Sequence, residues 1–503
     1  MFLWKNAIVL IGLLGVATLP ATMLSRAGWE KRYIARLMIC GALVVCLAVS
    51  FVPMLATQIG FGLLLICCFD KRVPMAATYL FFLLWTPAAG SLLAVAGGYI
   101  APITPFMSFA GALLVGYLLH PEHHLRRRFM MSDAAMLAFL LIYCTCVSLR
   151  NTPTGIARNV ATYVLPYLLS YHLLSRIRIE RPELVLRLLL FAAAAAGLLC
   201  LFESARHWPL YAGTWAIKRD LWTIDAPRVW LERGGVPRAY GPFAHPLTGG
   251  AMLGLSAVGA GALLVMRGRS LPLLALGGLV LLGLAATLSR SGLVALGIGI
   301  MTFQILRGRY WLAGLVAMAG LLIVVGAPVL GGEDAQLSAS YRLEILTGIP
   351  RALGSGVWFG YREAVEMGLL DAFIQGQGIV DLVNAYLAII VQGGVVSLIP
   401  YLLFLLTTYP HYHAIRRSKP DSETLLLAQA LIAIQTATIV ALALLGAWVA
   451  PMQLSFLVTA MLIALRFDTR RPRFGEAARP ALSIERGVAD LPAVAADRLP
   501  VLR

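Results

Sequence analysis

The chain contains many uninterrupted apolar runs, and these limit its fold more than any other feature. Each run covers about 16–24 residues without the apolar–polar alternation of a membrane β-barrel strand, and such a run spans a bilayer only as an α-helix. Composition agrees, because 60% of the 503 residues are hydrophobic and 13% are charged, whereas soluble domains are about a quarter charged. The sequence therefore predicts an all-α, polytopic integral membrane helix bundle with about 12–15 transmembrane helices.

The spans divide the chain into a membrane domain, residues 1–470, and a tail, residues 471–503. The tail is rich in proline and alanine and has no apolar periodicity, so we expect a disordered cytoplasmic extension. The first apolar run is followed by SRAGWEKRYIAR rather than by a small-residue cleavage site, which predicts a retained span and not a signal peptide. The predicted spans are 7–24, 37–52, 54–69, 73–90, 105–119, 134–149, 160–175, 184–203, 248–266, 271–288, 291–306, 312–330, 385–407, 423–446 and 450–466.

Basic residues concentrate in the short loops between these spans, and this distribution predicts the orientation of the chain. Under the span assignment, eight basic loops fall on one side, which the positive-inside rule assigns to the cytoplasm. Membrane orientation thus accounts for the formal net charge of +17, and nucleic-acid binding is not expected. The loops are SRAGWEKRYIAR, DKR, HPEHHLRRR, SRIRIER, RGR, RGRY, HAIRRSK and RFDTRRPR.

Two long polar segments, 204–247 and 331–384, then lie on the opposite face. In a bacterial cell that face is the periplasm, so we expect a multi-pass protein of the inner (cytoplasmic) membrane whose functional face is periplasmic. The apolar spacing of the second segment can support one or two amphipathic helices resting on the membrane surface. Candidate functional residues are therefore sought in and beside these two segments.

The cysteines argue against a disulfide framework and against a structural zinc site. All seven lie inside apolar runs and none lies in a polar loop. The CTC sequence also lacks the two-residue spacing of a CxxC pair. We expect no metal site. The seven are Cys40, Cys46, Cys67, Cys68, Cys144, Cys146 and Cys200.

The first candidate motif is RAYGPFAHPLTGG, residues 238–250, which directly precedes an apolar run. Its glycines let a ligand approach the backbone closely, and the following helix offers free N–H groups to an anion. Arg238 adds a cation and His245 adds a titratable ring. We interpret the motif as a cradle for a diphosphate, whereas the other charges of this loop are typical of a solvated surface.

The second candidate motif is TLSRSGLVAL, residues 287–296, where two spans join almost without a loop. An arginine at this depth is costly unless it pairs with an anion or reaches the interface. Arg290, flanked by the hydroxyls of Ser289 and Ser291, is therefore either an interfacial anchor or a fixed cation that faces a phosphate.

The third motif, SYRLEIL, contains Arg342 and Glu344 within the second polar segment. Residues two positions apart do not share a helix face, so these two side chains need not pair with one another. Both remain candidates for contact with a ligand.

The fourth motif, IVDLVNAYLAIIVQGGVVSLIPYLLF, enters a span. Asp381, Asn384 and Tyr386 stand at its mouth, and for Asp381 a helix-capping role competes with a catalytic one. Gly393 and Gly394 lie deeper and predict close helix packing rather than ligand binding.

Taken in order, RAYGPFAHP, TLSRSGLVAL, RLEIL and VNAYLAIIVQGGVVSLIPYLL resemble the O-antigen ligase and O-antigen polymerase family over residues 200–410. The resemblance implies an inner-membrane glycosyltransferase of surface polysaccharide assembly. Such an enzyme takes a glycan from undecaprenyl diphosphate and joins it to lipid A–core or to another glycan chain. It needs neither nucleotide nor metal, so no cofactor is expected, and its partners are these substrates, membrane lipids and other assembly proteins. Family arginines thought to hold the diphosphate match Arg238 and Arg290.

One departure from the family concerns proton transfer. The ligases typically place a histidine, proposed to act in catalysis, directly before the asparagine that opens the later span. Here that position is Val383, before Asn384, and valine cannot accept a proton. The resemblance therefore leaves Asp381, Glu344 and His245 as candidate catalytic groups, and it favours a polymerase or an exopolysaccharide relative over a core ligase.

Two other classes are weighed against the enzyme. A transporter that flips lipid-linked sugars would bury ionisable groups near the midplane, but apart from Arg187 and Glu203, near span ends, the predicted helices carry almost no charge. A non-catalytic scaffold for a polysaccharide complex would not need ordered arginine motifs. The concentration of polar residues on one face favours an outward-facing enzyme.

Overall fold

The structure is a computed structural model. It describes residues 2–95, 98–149, 151–211, 232–233, 235–243, 245–361, 364, 367–374, 380, 382, 384–446 and 450–469. The predicted catalytic candidate Asp381, the departure at Val383 and the tail 471–503 lie outside the described residues.

Helices account for most of the described chain. They are Phe2–Met23 (α1), Gly28–Val49 (α2), Met54–Cys68 (α3), Met75–Trp85 (α4), Pro105–Leu119 (α5), Met131–Ser148 (α6), Pro153–Asn159 (α7), Leu165–Leu174 (α8), Pro182–Arg206 (α9), Pro246–Arg267 (α10), Leu271–Ala286 (α11), Arg290–Leu306 (α12), Tyr310–Leu353 (α13), Ala385–Leu406 (α14), Thr408–Arg417 (α15), Ser422–Leu442 (α16) and Ala450–Asp468 (α17). A π-helical turn, Val160–Val164, joins α7 to α8. Single 3-10 turns cover Pro121–His123, Gly354–Val357 and Asp371–Phe373.

Within the described part of the chain, eight helices are long and apolar enough to cross a membrane, and six shorter apolar helices accompany them. In the same residues the structure has two short antiparallel strand pairs, Ser91–Val95 (β1) with Gly98–Ile103 (β2), and Glu232–Arg233 (β3) with Val236–Pro237 (β4). This architecture confirms the predicted all-α polytopic bundle, and the chain is a multi-pass membrane protein.

Several elements differ in extent from the predicted spans. Helix α2 begins at Gly28 rather than at residue 37, so most of the predicted basic loop SRAGWEKRYIAR is helical. The span predicted at 73–90 is shorter, because α4 ends at Trp85, two residues before Pro87, and the β1–β2 hairpin follows. Proline disfavours helical conformation in the residue before it, which explains the early end. The span predicted at 312–330 is longer, because α13 continues as one helix to Leu353 and takes up the first part of the predicted polar segment.

Helix α9 lies at the centre of the bundle. The most apolar stretch of α9 is 89% buried, and α9 packs against α1, α4, α10 and α11. Small residues permit this packing: a Cβ atom added to Gly197 would lie 2.5 Å from the carbonyl oxygen of Leu279 in α11. Without a hydrophobic driving force between helices in lipid, close backbone approach of this kind provides the packing energy.

The end of α13 forms a second, smaller hydrophobic cluster with the first turns of α14. Ile345, Ile349 and Leu353 follow at four-residue intervals on α13 and pack with Leu387 and Val391 of α14. This apolar face explains why the helix persists beyond the predicted span, since it buries side chains that a solvated loop would expose.

Helix α14 is interrupted at Gly394, where φ is 73° and the helical hydrogen-bond ladder is broken. The segment after α13 inserts there: the carbonyl oxygen of Trp358 accepts a hydrogen bond from the N–H of Val396 at 3.2 Å. The N–H of Tyr361 donates to the carbonyl oxygen of Val391 at 2.6 Å. Backbone groups freed by the kink are thus satisfied by another segment, as an apolar environment requires. The prediction of close helix packing holds for Gly393, where an added Cβ atom would lie 2.6 Å from the ring of Tyr143 in α6, whereas Gly394 instead approaches the segment after α13.

Charges at the basic ends of the helices form internal ion pairs. Arg127 and Asp133 pair at 2.6 Å, and Arg187, one of the two charges predicted near span ends, pairs with Glu30 at 2.9 Å. Both pairs are largely buried, so each buried charge lies against a partner of opposite sign. The second pair joins α9 to α2, and the first holds the loop before α6 against the start of that helix. Both are accounted for by the fold alone.

Candidate functional site

The carboxylate of Glu203, near the end of α9, organises the loop that leads to α10. Glu203 is fully buried, and its Oε1 atom accepts a hydrogen bond from the N–H of Leu210 at 3.1 Å. Its Oε2 atom accepts two more, from Gly241 at 2.9 Å and Tyr240 at 3.3 Å. One side chain thus holds both ends of a loop of about thirty residues, and it sets the position of the RAYGPFAHP motif.

Arg238 brings the first two sequence motifs together. Its guanidinium is largely buried, and Nε donates to the carbonyl oxygen of Thr287 at 3.2 Å. The N–H of the next residue, Ala239, donates to the carbonyl oxygen of Ala286, also at 3.2 Å. These carbonyls end α11, and a cation is favourable at the C-terminal end of a helix. Arg238 therefore joins the loop to the α11–α12 corner.

The first turns of α10 and α12 lie side by side at this corner. A Cβ atom added to Gly250 of α10 would lie 2.2 Å from Cβ of Ser289, so only glycine permits the observed approach. One turn deeper, a Cβ atom on Gly254 would lie 2.4 Å from the carbonyl oxygen of Gly292. Two helix N-termini consequently point in the same direction beside Arg238, and part of each first turn is capped, by His245 in α10 and by Ser289 in α12.

The hydroxyls of the second motif are buried at the start of α12. Ser289 Oγ accepts a hydrogen bond from the N–H of Gly292 at 3.2 Å and lies 2.9 Å from Ser291 Oγ. Ser289 therefore caps α12, as serine commonly does. Arg290, between the two serines, is exposed and lies in the first turn of α12. Its guanidinium thus faces the surroundings of the bundle rather than the serine pair.

His245 caps α10 and completes this group. Its Nδ1 atom accepts a hydrogen bond from the N–H of Leu247 at 3.1 Å. Burial, and then the positive charge of Arg238, lower the pKa of His245 to about 4. The ring is therefore neutral at pH 7, and because Nδ1 is the acceptor, the proton resides on Nε2. We name the group formed by Arg238, His245, Ser289, Arg290 and Ser291 the α10–α12 cluster.

The remaining predicted residues lie around the contact between α13 and α14. Arg342 is partly buried and Glu344 is exposed, both near the end of α13. Asn384 caps α14, since its Oδ1 atom accepts the N–H of Tyr386 at 3.0 Å and of Leu387 at 3.1 Å. The hydroxyl of Tyr386 donates to the carbonyl oxygen of Ile439 at 2.7 Å, which attaches α14 to α16.

The structure thus divides the predicted site residues into two groups. Four of them, Arg238, His245, Ser289 and Ser291, are packed together, and Arg290 shares their corner with an exposed side chain. The residues of α13 and α14 belong to the second group. Among the described residues, no three His, Cys, Asp or Glu side chains are arranged as a metal site.

The sequence did not single out Glu203 or Thr287 as site residues. Glu203 was recognised only as a charge near a span end, although a lone acid there is a signal for a buried, hydrogen-bonded role. Thr287 contributes a backbone carbonyl, which any residue type supplies, so its identity carried no signal. No family model matches the chain, and no curated protein matches it.

Proposed function

We propose that the chain is a membrane glycosyltransferase that joins an undecaprenyl-diphosphate-linked glycan to an acceptor, as a polysaccharide polymerase or an O-antigen ligase does. The observation that carries the proposal is the meeting of two sequence motifs, 49 residues apart, at one corner. There a buried arginine lies beside two helix N-termini. A diphosphate needs this combination of fixed cation and free N–H groups.

The main catalytic requirement of this reaction is stabilisation of the negative charge that develops on the leaving diphosphate. The acceptor hydroxyl forms a bond to the anomeric carbon, the bond from that carbon to the diphosphate breaks, and the diphosphate leaves with the electron pair. Negative charge therefore grows on the leaving group, and each fixed donor aimed at it is worth about 3–4 kcal/mol. Direct displacement of this kind inverts the configuration at the anomeric carbon.

The two arginines of the α10–α12 cluster take different roles in this proposal. Arg238 is buried and held at Thr287, so it supplies a fixed positive potential at the base of the site. Arg290 is exposed at the start of α12, so its guanidinium can contact a lipid-linked diphosphate directly. Arg342, from α13, is a third candidate contact.

Proton transfer is assigned to a carboxylate. The neutral ring of His245 uses Nδ1 to cap α10 and has its proton on Nε2, so it serves as a hydrogen-bond donor to the diphosphate. The acceptor hydroxyl must therefore lose its proton to another group, and Asp381 and Glu344 are the candidates that sequence analysis leaves. A positioned base of this type contributes about 10²- to 10⁴-fold. Asn384 and Tyr386, which order the start of α14, are proposed to contact the glycan.

The basic loops place the α10–α12 cluster on the periplasmic face of a bacterial inner membrane in this proposal. That location suits the synthesis of O-antigen or exopolysaccharide, whose lipid-linked units are joined outside the cytoplasm. The acceptor is lipid A–core for a ligase and a second glycan chain for a polymerase.

Transfer by purified protein in detergent tests the proposal, with undecaprenyl-diphosphate-linked glycan as donor. We expect Arg290→Ala to lower turnover by at least about 100-fold, the usual cost of removing one transition-state donor. Arg309→Ala is the matched control, because Arg309 is also exposed but lies just beyond the opposite end of α12. It should transfer glycan at the wild-type rate.

Three results would count against this assignment. Near-normal turnover of Arg290→Ala removes Arg290 from the mechanism. Equal losses in both variants indicate a general charge effect. Absence of transfer by the wild-type protein, combined with movement of lipid-linked sugar across proteoliposomes, supports the transporter instead. Deletion of the gene distinguishes a polymerase from a ligase. If the protein is a polymerase, the deletion strain should retain single glycan units and lose long chains. If it is a ligase, the strain should accumulate complete lipid-linked chains that are not attached to an acceptor.

A further inference from the structure

A second polar feature lies at the other end of the bundle, beyond the C-terminal end of α14. An open pocket of about 500 Å³ is lined there by Pro410, His413, Ala414 and Arg417 of α15 and by Arg466 of α17. Helix α14 separates this pocket from Asn384 by 22 residues, or about 33 Å of helix, which is the thickness of a bilayer core. The pocket is therefore distinct from the residues assigned to glycan transfer.

The pocket is basic. Arg417 and Arg466 contribute two guanidinium groups, and the described residues that line it include no acid. Its volume falls in the range of small-molecule sites, about 300–1,000 Å³. Two cations facing one open space create a site for an anion, because their mutual repulsion is relieved when a negative charge lies between them.

Arg466 is held in place by a buried chain of hydrogen bonds. Its Nη1 atom donates to Nδ1 of His411 at 3.0 Å, and Nε2 of His411 lies 3.2 Å from Ser132 Oγ in α6. His411 is itself buried. Since Nδ1 accepts, Nε2 carries the proton and donates to the serine, so a single tautomer fits both contacts. The guanidinium is thus oriented before any ligand arrives.

The surroundings of the pocket identify the anion as a lipid. Helix α15 continues α14 beyond Thr407 and is amphipathic, with Tyr412 and Ile415 buried and Arg416 exposed. Just before it, Leu402 and Leu406 are exposed on α14, and they precede the pocket-lining Pro410 at four-residue intervals, which places them on the same helix face. A headgroup in the pocket would place its acyl chains along these leucines, whereas a free anion would gain nothing from them.

We propose that this pocket binds the phosphate of an anionic phospholipid, with Arg417 and Arg466 as the cationic contacts and the acyl chains against the exposed leucines of α14. Basic pockets between helices on the cytoplasmic side of membrane proteins are suited to such headgroups. The basic loops assign the pocket to that side. The site is independent of the proposed glycan transfer and does not rest on it.

The test measures thermal unfolding of the full-length protein in neutral detergent as phosphatidylglycerol or phosphatidylcholine is added. Phosphatidylglycerol should raise the unfolding temperature of the wild-type protein in a saturable way, and phosphatidylcholine should not. Arg417→Gln should weaken the apparent affinity for phosphatidylglycerol by at least about fivefold. Arg416→Gln is the matched control, since Arg416 is the adjacent exposed arginine and does not line the pocket. It should retain wild-type affinity.

Native mass spectrometry of the same samples provides a second measurement that does not depend on stability. We expect one retained phosphatidylglycerol in the wild-type protein and in Arg416→Gln, and its loss in Arg417→Gln. Equal effects of the two lipids, or equal losses in the two variants, overturn the proposal in favour of a non-specific basic surface. Equal stabilisation by inorganic phosphate overturns it in favour of a free-anion site.

Discussion

Replacing Glu203 by glutamine and by alanine tests whether one buried carboxylate holds the loop between α9 and α10 in place. In the structure Oε2 accepts two backbone N–H groups and Oε1 accepts one. Glutamine is nearly the same size and has one carbonyl oxygen. With that oxygen at the Oε2 position it still accepts from Tyr240 and Gly241, and its amide group then faces the N–H of Leu210.

The expected losses follow from the number of N–H groups left unsatisfied. One buried donor without a partner costs about 1–3 kcal/mol, so Glu203→Gln should lower the free energy of unfolding by that amount. Glu203→Ala removes all three acceptor contacts and leaves a cavity, and it should cost about 3 kcal/mol or more. The predicted order of stability is therefore wild type, then glutamine, then alanine.

Unfolding of purified protein in detergent micelles, followed by heat or by a denaturing detergent, measures these differences. Limited proteolysis of the same variants reports on the described ends of the loop, residues 207–211 and 235–243, where cleavage should increase in Glu203→Ala before the bundle unfolds. Glu423→Gln is the control: Glu423 is exposed at the start of α16, and its replacement should change stability by no more than about 0.5 kcal/mol. If glutamine costs as much as alanine, or if both variants match the wild type, the hydrogen bonds do not hold the loop and the reasoning fails.

Two further predictions concern the α10–α12 cluster. The pKa of His245 is lowered from 6.5 to about 4 in the folded protein. Between these pH values the unfolded chain binds a proton at His245 and the folded protein does not. The free energy of unfolding should therefore decrease as the pH falls from 6.5 towards 4, by at most about 3 kcal/mol. In His245→Asn, whose Oδ1 atom can still cap α10, this part of the pH dependence of the unfolding temperature should vanish; an unchanged profile would show that another group titrates. Gly250→Ala should cost about 1–3 kcal/mol or more, because the new methyl group collides with Ser289. Gly261 of the same helix faces open space, so the control variant Gly261→Ala should stabilise the protein by about 0.5–1 kcal/mol. Similar free energies of unfolding for the two alanine variants would argue against the close contact between α10 and α12.

The positions of most helices could be predicted from the sequence. The span predicted at 105–119 is α5, Pro105–Leu119, and the span predicted at 271–288 is α11, Leu271–Ala286. In lipid every backbone group must be satisfied within its own segment, so a long apolar run leaves the chain few alternatives to a helix.

Functional residues were harder to assign, because a sequence motif shows which residue types are present but not which side chains are buried and which are exposed. Ser289, Arg290 and Ser291 are consecutive, yet the structure buries the two serines and exposes the arginine between them. Asn384 proved to be a helix cap, a role that its position before a span allows but does not require. The chemistry assigned to these residues remains a prediction that the transfer assay tests.

The sequence by itself determined that the chain is a bundle of membrane helices and where most of them begin and end, because apolar length and capping residues act over a few positions. Only the tertiary structure decided that Arg238 meets Thr287, that Glu203 holds a distant loop, and that the segment after α13 enters the kink of α14. These contacts join residues far apart in the chain. They depend on which helices can approach closely, and in a membrane that is decided by the fit of small residues across an interface rather than by hydrophobicity, which nearly every helix here shares.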